Sequence, residues 1–414
     1  MTSKKKRRSP GEGSVITFTT ASGDVRYGIK FVRPLDDGST KQVFRRRDED
    51  NQPWTSKTAA QKALRDALSK LDRGEYVDPS KQTLGEYLDE WVDGLRLGAS
   101  TLASYRKNIR LHIKPHLGGV PLASLTPAKI TALYRKLETD GRRDHQAGKG
   151  LSARTVRYIH TILRSALSAA VDAGSLTRNP ADKAKPPTAK EAKAPEMHPW
   201  TRDQLRAFLD WAKVNSALYV AWFVLAMTGI RRGELLALRW RDIDLDTGTM
   251  AVRRSVGIVR VKGKGAEITE GPTKTNRPRV IDLDEPTVNL LRAHRRERGS
   301  LSLQLARDDA LVFGDHEGAW RHPERFSRSF REHLIRCRKQ LADGAAEAPE
   351  LIRLHDLRHT HATVLLSLGT HPKIVSERLG HANVSITLDT YSHALPTIQR
   401  DAVSKLSALM STGT

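Results

Sequence analysis

The feature that most constrains this chain is a change in the repeat of its apolar residues. Val25, Tyr27, Ile29 and Phe31 alternate with Arg26, Gly28, Lys30 and Val32, the two-residue repeat of a half-buried strand. Val15–Phe18 precede this run across a Ser22-Gly23-Asp24 turn, and Lys41–Arg46 follow it after Asp36-Asp37-Gly38. From Thr58 the repeat becomes helical: Ala60, Ala63, Leu64, Ala67, Leu68 and Leu71 lie on one stripe, which Gly74 ends. Residues 10–75 are therefore expected to form a small three-stranded sheet with one helix.

From residue 83 to residue 180 only the helical repeat occurs. Thr83 and Glu86 have capping-box spacing ahead of Leu84, Tyr87, Leu88, Trp91, Val92 and Leu95. A second helix carries Leu102, Tyr105, Ile109 and Ile113. A third opens at Thr126-Pro127 and carries Ile130, Leu133, Tyr134 and Leu137. After a Gly141–Gly150 loop, a fourth carries Val156, Ile159, Leu163, Ala166 and Ala170 and stops at Gly174. Helical spacing accounts for the aromatics as core residues. The basic residues between the stripes, Lys107, Arg110, Arg154 and Arg157, are the candidates for phosphate contacts. Residues 181–199, rich in Ala, Lys and Pro, suit an extended, semi-rigid linker. In residues 200–414, Thr201 and Gln204 open helical patterns that run to Gly229. Strand patterns occupy about 249–283, and helices resume from Pro286. The expected fold class is multidomain α+β, with the small N-terminal sheet and helix, an all-helical middle, and a mainly helical C-terminal domain holding a small antiparallel sheet.

Charge says what such a chain meets. Seventy Lys and Arg against 47 Asp and Glu give a net +23 over 414 residues, with a pI near 10.2. The excess is densest over residues 81–190, with 19 basic and 9 acidic side chains. A polyanion, nucleic acid above all, is the natural counter-surface. Residues 1–9, with Lys4, Lys5, Lys6, Arg7 and Arg8, form a basic tail expected to be disordered, either touching phosphates or simply solvated. No apolar run reaches the ~18 residues of a membrane span, and the first residues lack an apolar signal core. With Cys337 as the one cysteine, a disulfide framework and a cysteine metal cage are excluded. A cytoplasmic location, at the nucleoid when active, is the expectation, with no membrane partner. Neither a phosphate-binding Gly-x-x-x-x-Gly-Lys-Ser/Thr loop nor a Gly-x-Ser-x-Gly elbow occurs.

What stands out is a spaced set of cationic groups followed by a tyrosine. Thr228-Gly229-Ile230-Arg231-Arg232-Gly233-Glu234 sits where one helix gives way to the next. Pro272-Thr273-Lys274-Thr275 lies in the strand region. His355-Asp356-Leu357-Arg358-His359 opens a helix, Leu379-Gly380-His381 ends one, and Asp389-Thr390-Tyr391-Ser392-His393 follows. A phosphodiester under attack gains negative charge on its non-bridging oxygens, which preorganised donors must meet. Arginine offers a planar fork that matches two oxygens. A phenol loses its proton only near pH ~10, so it needs a base, and imidazole is the natural one near neutrality. Two readings compete at particular residues. Glu234 either supports Arg231 or merely pairs with a neighbouring arginine. His355 and His359, four apart on a helix, also have metal-ligand spacing, with His361, His381 or His393 to complete a site.

The ordered set of motifs over roughly residues 83–410 resembles the tyrosine recombinase family, the phage-type integrases that cut and rejoin DNA. The resemblance implies that Arg231, by its place after Thr-Gly-x, and Arg358 hold the scissile phosphate. Arg232 is the neighbour that could be mistaken for Arg231. It implies further that Lys274 is the family's β-hairpin lysine and proton donor to the leaving oxygen, that His355 and His381 are its two histidines, either of them a plausible base, and that Tyr391 is the nucleophile. Glu234 becomes a support for Arg231. No cofactor, metal or ATP is implied, because a 3′-phosphotyrosine link conserves the energy of the bond. Residues 10–75 then resemble an arm-site-binding domain, 83–180 the core-binding domain and 200–414 the catalytic domain. The amphipathic stripe Ile398, Ala402, Leu406 and Leu409 is expected to dock on a neighbouring protomer. The implied partners are double-stranded attachment sites, three further copies in a tetramer on DNA, and an accessory bending or excision factor. A type IB topoisomerase, a chromosome-resolving recombinase and a non-catalytic DNA-binding protein are the alternative readings.

Overall fold

The computed structural model describes residues 13–34, 38–48, 52–73, 82–143, 148–193, 197–261, 265–274, 277–341 and 348–391, with residues 403, 404, 407 and 410. The basic tail, Gly74, His393 and the stripe of Ile398, Ala402, Leu406 and Leu409 lie outside the described residues. The chain divides into two units, residues 1–194 and 195–414.

In the first unit, β1 (Ser14–Thr19), β2 (Val25–Pro34) and β3 (Thr40–Arg45) form an antiparallel sheet in that order. Ile29 and Phe31 pack with Val43 and Trp54 against Ala60, Leu64 and Ala67 of α1 (Lys57–Asp72), and all seven are buried. The alternation expected along β2 holds at Ile29 and Phe31. Val25 at the strand's start is half exposed and lies outside that cluster. On the exposed side, the Arg46 guanidinium lies over the rings of Phe18 and Phe44, 4.8 and 5.2 Å from their centroids.

The helical part of this unit has its own core. Thr83 caps α2 (Leu84–Asp93) through a reciprocal pair with Glu86, the box its sequence announces. α3 (Ala99–Asn108) and α4 (Lys114–Leu117) are joined without a break by one π-helical turn, Ile109–Ile113. Ile109 and Ile113, at the two ends of that turn, are both buried. α5 (Pro127–Asp140) and α6 (Ala153–Asp172) complete the bundle, and Gly174, at φ +68°, turns the chain after α6. The aromatics are packing residues: Tyr134 is fully buried with its hydroxyl 2.8 Å from His160 Nδ1, and Tyr87 donates to the Ala166 carbonyl. Residues 180–187 lie on this bundle, with Asp182 paired to Arg164 and the Pro187 carbonyl accepting from Arg157.

The second unit is mainly helical. α7 (Arg202–Asn215), capped by Thr201 and Gln204, and α8 (Tyr219–Thr228) pack with α11 (Pro323–Leu341) around Trp200, Phe208, Trp222 and Phe330. After the short α9 (Arg232–Leu236), β4 (Ile243–Asp244) and β5 (Thr249–Val252) pair antiparallel. β5 pairs in turn with β8 (Arg279–Asp282), while β6 (Arg254–Val261) and β7 (Gly265–Pro272) form a separate hairpin. α10 (Glu285–Leu301) returns to the core. α12 (Asp356–Ser367), α13 (Pro372–Leu379) and α14 (Val384–Tyr391) close the unit around a small cluster of Ala362, Leu366, Val375, Leu379 and Tyr391. Among the described residues no helix is long and apolar enough to cross a membrane.

Candidate active site

The site begins at the corner between α8 and α9. α8 ends on Gly229 in the left-handed conformation, φ +64°, and a Cβ there would come within 2.6 Å of the His361 ring. Only glycine fits so tight a left-handed exit. The turn places Arg231 as the N-cap of α9 and Glu234 three residues on. The Glu234 carboxylate, wholly buried, reaches back to the Arg231 backbone N–H at 2.9 Å and to its Nη1 at 2.9 Å. Arg231 Nη2 also donates to the Gly380 carbonyl at 3.3 Å. Arg232 points elsewhere and donates to Ser327 Oγ on α11 at 2.7 Å. The register inferred from Thr-Gly-x thus selects the arginine that faces the cleft.

α12 supplies the second cluster. Its first residue, Asp356, is anchored by the backbone N–H and guanidinium of Arg353. Two residues on, Arg358 is buried, with Nη1 donating to the Gly229 carbonyl at 2.9 Å. Its Nη2, also buried, finds no hydrogen-bond partner among the described residues. Burial, with Arg231 close by, lowers the Arg358 guanidinium from its ordinary value to about 9. A donor so placed gains most from an anion.

α13 ends on Gly380, again left-handed at φ +67°, and presents His381, whose Nδ1 sits 2.8 Å from the buried Thr387 hydroxyl. α14 then carries Tyr391 as its last residue. The ring is 1% exposed, and its hydroxyl is 2.7 Å from Nδ1 of His359. Burial pushes the Tyr391 phenol up to about 12, against the opposing pull of Arg358 and Arg231. The imidazoles shift the other way. Burial and then its neighbour His359 take His355 down to about 4, and burial followed by Arg358 and Arg231 does the same to His381. His359 is lowered too, chiefly by burial. All three are therefore neutral near pH 7 and able to accept a proton.

Arg231, Lys274, His355, Arg358, His381 and Tyr391 line one cleft of about 550 Å³, together with Arg277 and His359. Lys274 is exposed and sits in the connection from β7 to β8, strands that pair with β6 and β5 rather than with each other. His361, grouped with the metal alternative above, faces away: its Nδ1 bonds the Ala226 carbonyl, and Nε2 accepts from Arg378. Among the described residues no three His, Cys, Asp or Glu side chains are arranged to hold a metal ion. Glu234 takes two guanidiniums, Arg231 and Arg279, so the support and pairing readings describe one and the same contact.

His359, read only as a metal-ligand alternative, and Arg277 and Arg279, not singled out at all, are the residues that sequence reasoning did not place at the site. His359 has the same helical spacing whether it faces a metal or a tyrosine, and Arg279 has no motif around it. Of the residues singled out for phosphate contact in the first unit, Lys107, Arg110 and Arg154 are exposed. Arg157 is half-buried and spends Nη1 on the Pro187 carbonyl.

Comparisons with known proteins bear on both units. Residues 200–397 match the family model described as Phage integrase family, and residues 83–137 match that of the phage integrase N-terminal SAM-like domain. A protein of Caldanaerobacter subterraneus named tyrosine recombinase XerC-like is 28% identical over 368 residues, 86% of this chain and 90% of its own length. Among solved structures, the Tn1549 transposon integrase in complex with transposon right-end DNA shares the fold with a TM-score of 0.63 at 21% identity, over 78% of this chain and 99% of that one. A lambda integrase dimer bound to a COC′ core site does so with a TM-score of 0.52 at 18% identity, over 94% and 96% of the two chains.

Proposed function

The chain belongs to the phage integrase family of tyrosine recombinases, and from that membership and the geometry of its cleft we propose that it cuts and rejoins DNA with Tyr391 as nucleophile. It is a site-specific DNA recombinase. The observation that carries the residue assignment is the meeting of seven cationic or imidazole side chains, drawn from four stretches of chain, with one tyrosine on a single cleft.

In this reading the scissile phosphate lies between Arg231 and Arg358, and the partnerless Nη2 of Arg358 meets a non-bridging oxygen. The Tyr391 oxygen attacks phosphorus, the P–O5′ bond breaks, and a 3′-phosphotyrosine forms. The phenolic proton passes to a cleft imidazole, and Lys274 protonates the departing 5′ oxygen. Religation reverses each transfer, so the phosphodiester energy is kept and neither ATP nor a metal is called for. Exchange between two duplexes cuts four strands. With one Tyr391 per copy this takes four protomers on DNA, working through a Holliday junction. Residues 10–75 bind arm sites, and the helical residues 83–180 hold the core site, with Lys107, Arg110 and Arg154 on phosphates. The substrate is the pair of attachment sites of a mobile element, which the protein integrates and excises with an accessory bending or excision factor.

The test is a nicked suicide duplex that traps the covalent intermediate. Wild type should give a protein–DNA adduct, mapped by mass spectrometry to the peptide holding Tyr391, and Tyr391→Phe should bind the same duplex without any adduct. An adduct from Tyr391→Phe places the nucleophile elsewhere and refutes the assignment.

A further inference from the structure

The Glu234 carboxylate does more than brace one arginine. It is completely buried and accepts from the Arg231 backbone N–H and Nη1, and also from both terminal nitrogens of Arg279, Nη1 at 3.2 Å and Nη2 at 2.7 Å. Arg279 sits on β8, far from the Arg231 corner in sequence, and does not line the cleft. Its Nε donates to the Arg378 carbonyl at 2.9 Å, near the end of α13. Its guanidinium packs under Gly380, where a Cβ would stand 2.9 Å from Nη1. Gly380 in turn gives its carbonyl to Arg231 and precedes His381.

Charge arithmetic gives this contact its meaning. Arg231 and Glu234 alone would form a neutral, partly buried pair. With Arg279 the cluster of three carries one net positive charge, and its most exposed member is Arg231, 22% exposed against 10% for Arg279 and none for Glu234. In a site of low effective dielectric, that difference is felt at the phosphate. We propose that Arg279 is a positioning residue, acting through Glu234 and the Gly380 turn, that frees the charge of Arg231 for the scissile phosphate; this rests on the reading of Arg231 given above. Arg279 touches no reacting atom. It offsets the carboxylate that holds Arg231 in place, so that the fork is fixed without being neutralised.

The experiment uses the full chain and a nicked duplex carrying the sequence at which wild type forms its adduct. Single-turnover adduct formation at saturating duplex is compared for wild type, Arg231→Ala, Arg279→Gln, Arg279→Lys and the double variant Glu234→Gln with Arg279→Gln, with duplex affinity measured alongside. Arg279→Gln should form adduct about 10- to 100-fold more slowly, less than the roughly 10²–10³-fold lost with a donor in direct contact, at nearly unchanged duplex affinity. Removing the unopposed anion as well should recover most of that loss, which a purely structural role for Arg279 would not produce. Arg279→Lys, which keeps the charge but not the two-nitrogen fork onto Glu234, should recover part of that loss and fall between wild type and Arg279→Gln.

The proposal falls if Arg279→Gln matches wild type, or if the double variant is no faster than Arg279→Gln. Should Arg279→Gln prove unfolded by circular dichroism, a loss of 100-fold or more in folded Arg279→Lys overturns it equally. If Arg231→Ala is as fast as wild type, the reading of Arg231 itself fails. If Arg231→Ala is slow and Arg279→Gln is not, only the present inference does.

Discussion

Replacing His359 by phenylalanine probes the nucleophile most directly. Burial lifts the Tyr391 phenol to about 12, so ionising it at pH 7 before attack costs about 7 kcal/mol, with roughly one hydroxyl in 10⁵ ionised. A base that takes the proton as the bond to phosphorus forms avoids most of that cost. His359 is the imidazole in contact, 2.7 Å from the hydroxyl, and burial holds it neutral. General-base assistance is worth about 10²–10⁴-fold. The assay is single-turnover adduct formation on the nicked duplex between about pH 6 and pH 9. Wild type should be flat from about pH 7 upwards, where its base is neutral. His359→Phe should lose about 10²–10⁴-fold at pH 7 and then gain about tenfold per pH unit, as hydroxide takes over the proton. His359→Asn can keep a hydrogen bond to the phenol yet cannot take its proton, so it should follow the phenylalanine variant. A flat, fast profile for His359→Phe would refute the reasoning and return the role to His355 or His381.

Glu234→Ala leaves the half-buried guanidiniums of Arg231 and Arg279 without their shared anion and should cost about 2–4 kcal/mol, read as a Tm drop of roughly 4–16 °C. Burial raises the Glu234 carboxyl, but Arg279 and Arg231 outweigh it and hold the group below its ordinary 4.5. Its contribution is therefore complete above pH 4.5 and is lost as pH falls further, so the stability gap between wild type and Glu234→Gln should narrow from pH 7 towards pH 3 in urea titrations, and a gap that widens contradicts the sign. Gly229→Ala forces a side chain into left-handed backbone against the His361 ring and should cost about 2–4 kcal/mol in the same assay, with slower adduct formation as the Arg231 corner shifts. Deleting residues 1–75 should leave core-site adduct formation possible but impair integration between arm-bearing sites; undiminished recombination would remove the arm-binding role.

Much of this was legible in the order of residues because it is local. The Thr83–Glu86 and Thr201–Gln204 boxes close over three residues, as does the Glu234 return to the Arg231 backbone. A left-handed exit at Gly229 follows from glycine after a helical run, and strand or helix follows from which neighbours in sequence are apolar. The identities of Arg231, Lys274, His355, Arg358, His381 and Tyr391 were likewise readable, as chemical types in a fixed order.

Tertiary packing decided what those groups touch. His359 meets Tyr391 across 32 residues, Arg358 meets the Gly229 carbonyl across 129, and Arg279 meets Glu234 across 45. Spacing along a helix shows that His355 and His359 share a face, not whether that face looks onto a metal, a phosphate or a phenol. The same limit hid the use of Arg157 on Pro187 and the turning of Arg232 onto Ser327. Periodicity and capping are settled by atoms a few bonds apart along the chain. Which nitrogen meets which oxygen in the cleft is settled only when helices from distant stretches pack, because their side chains then compete for the same buried partners.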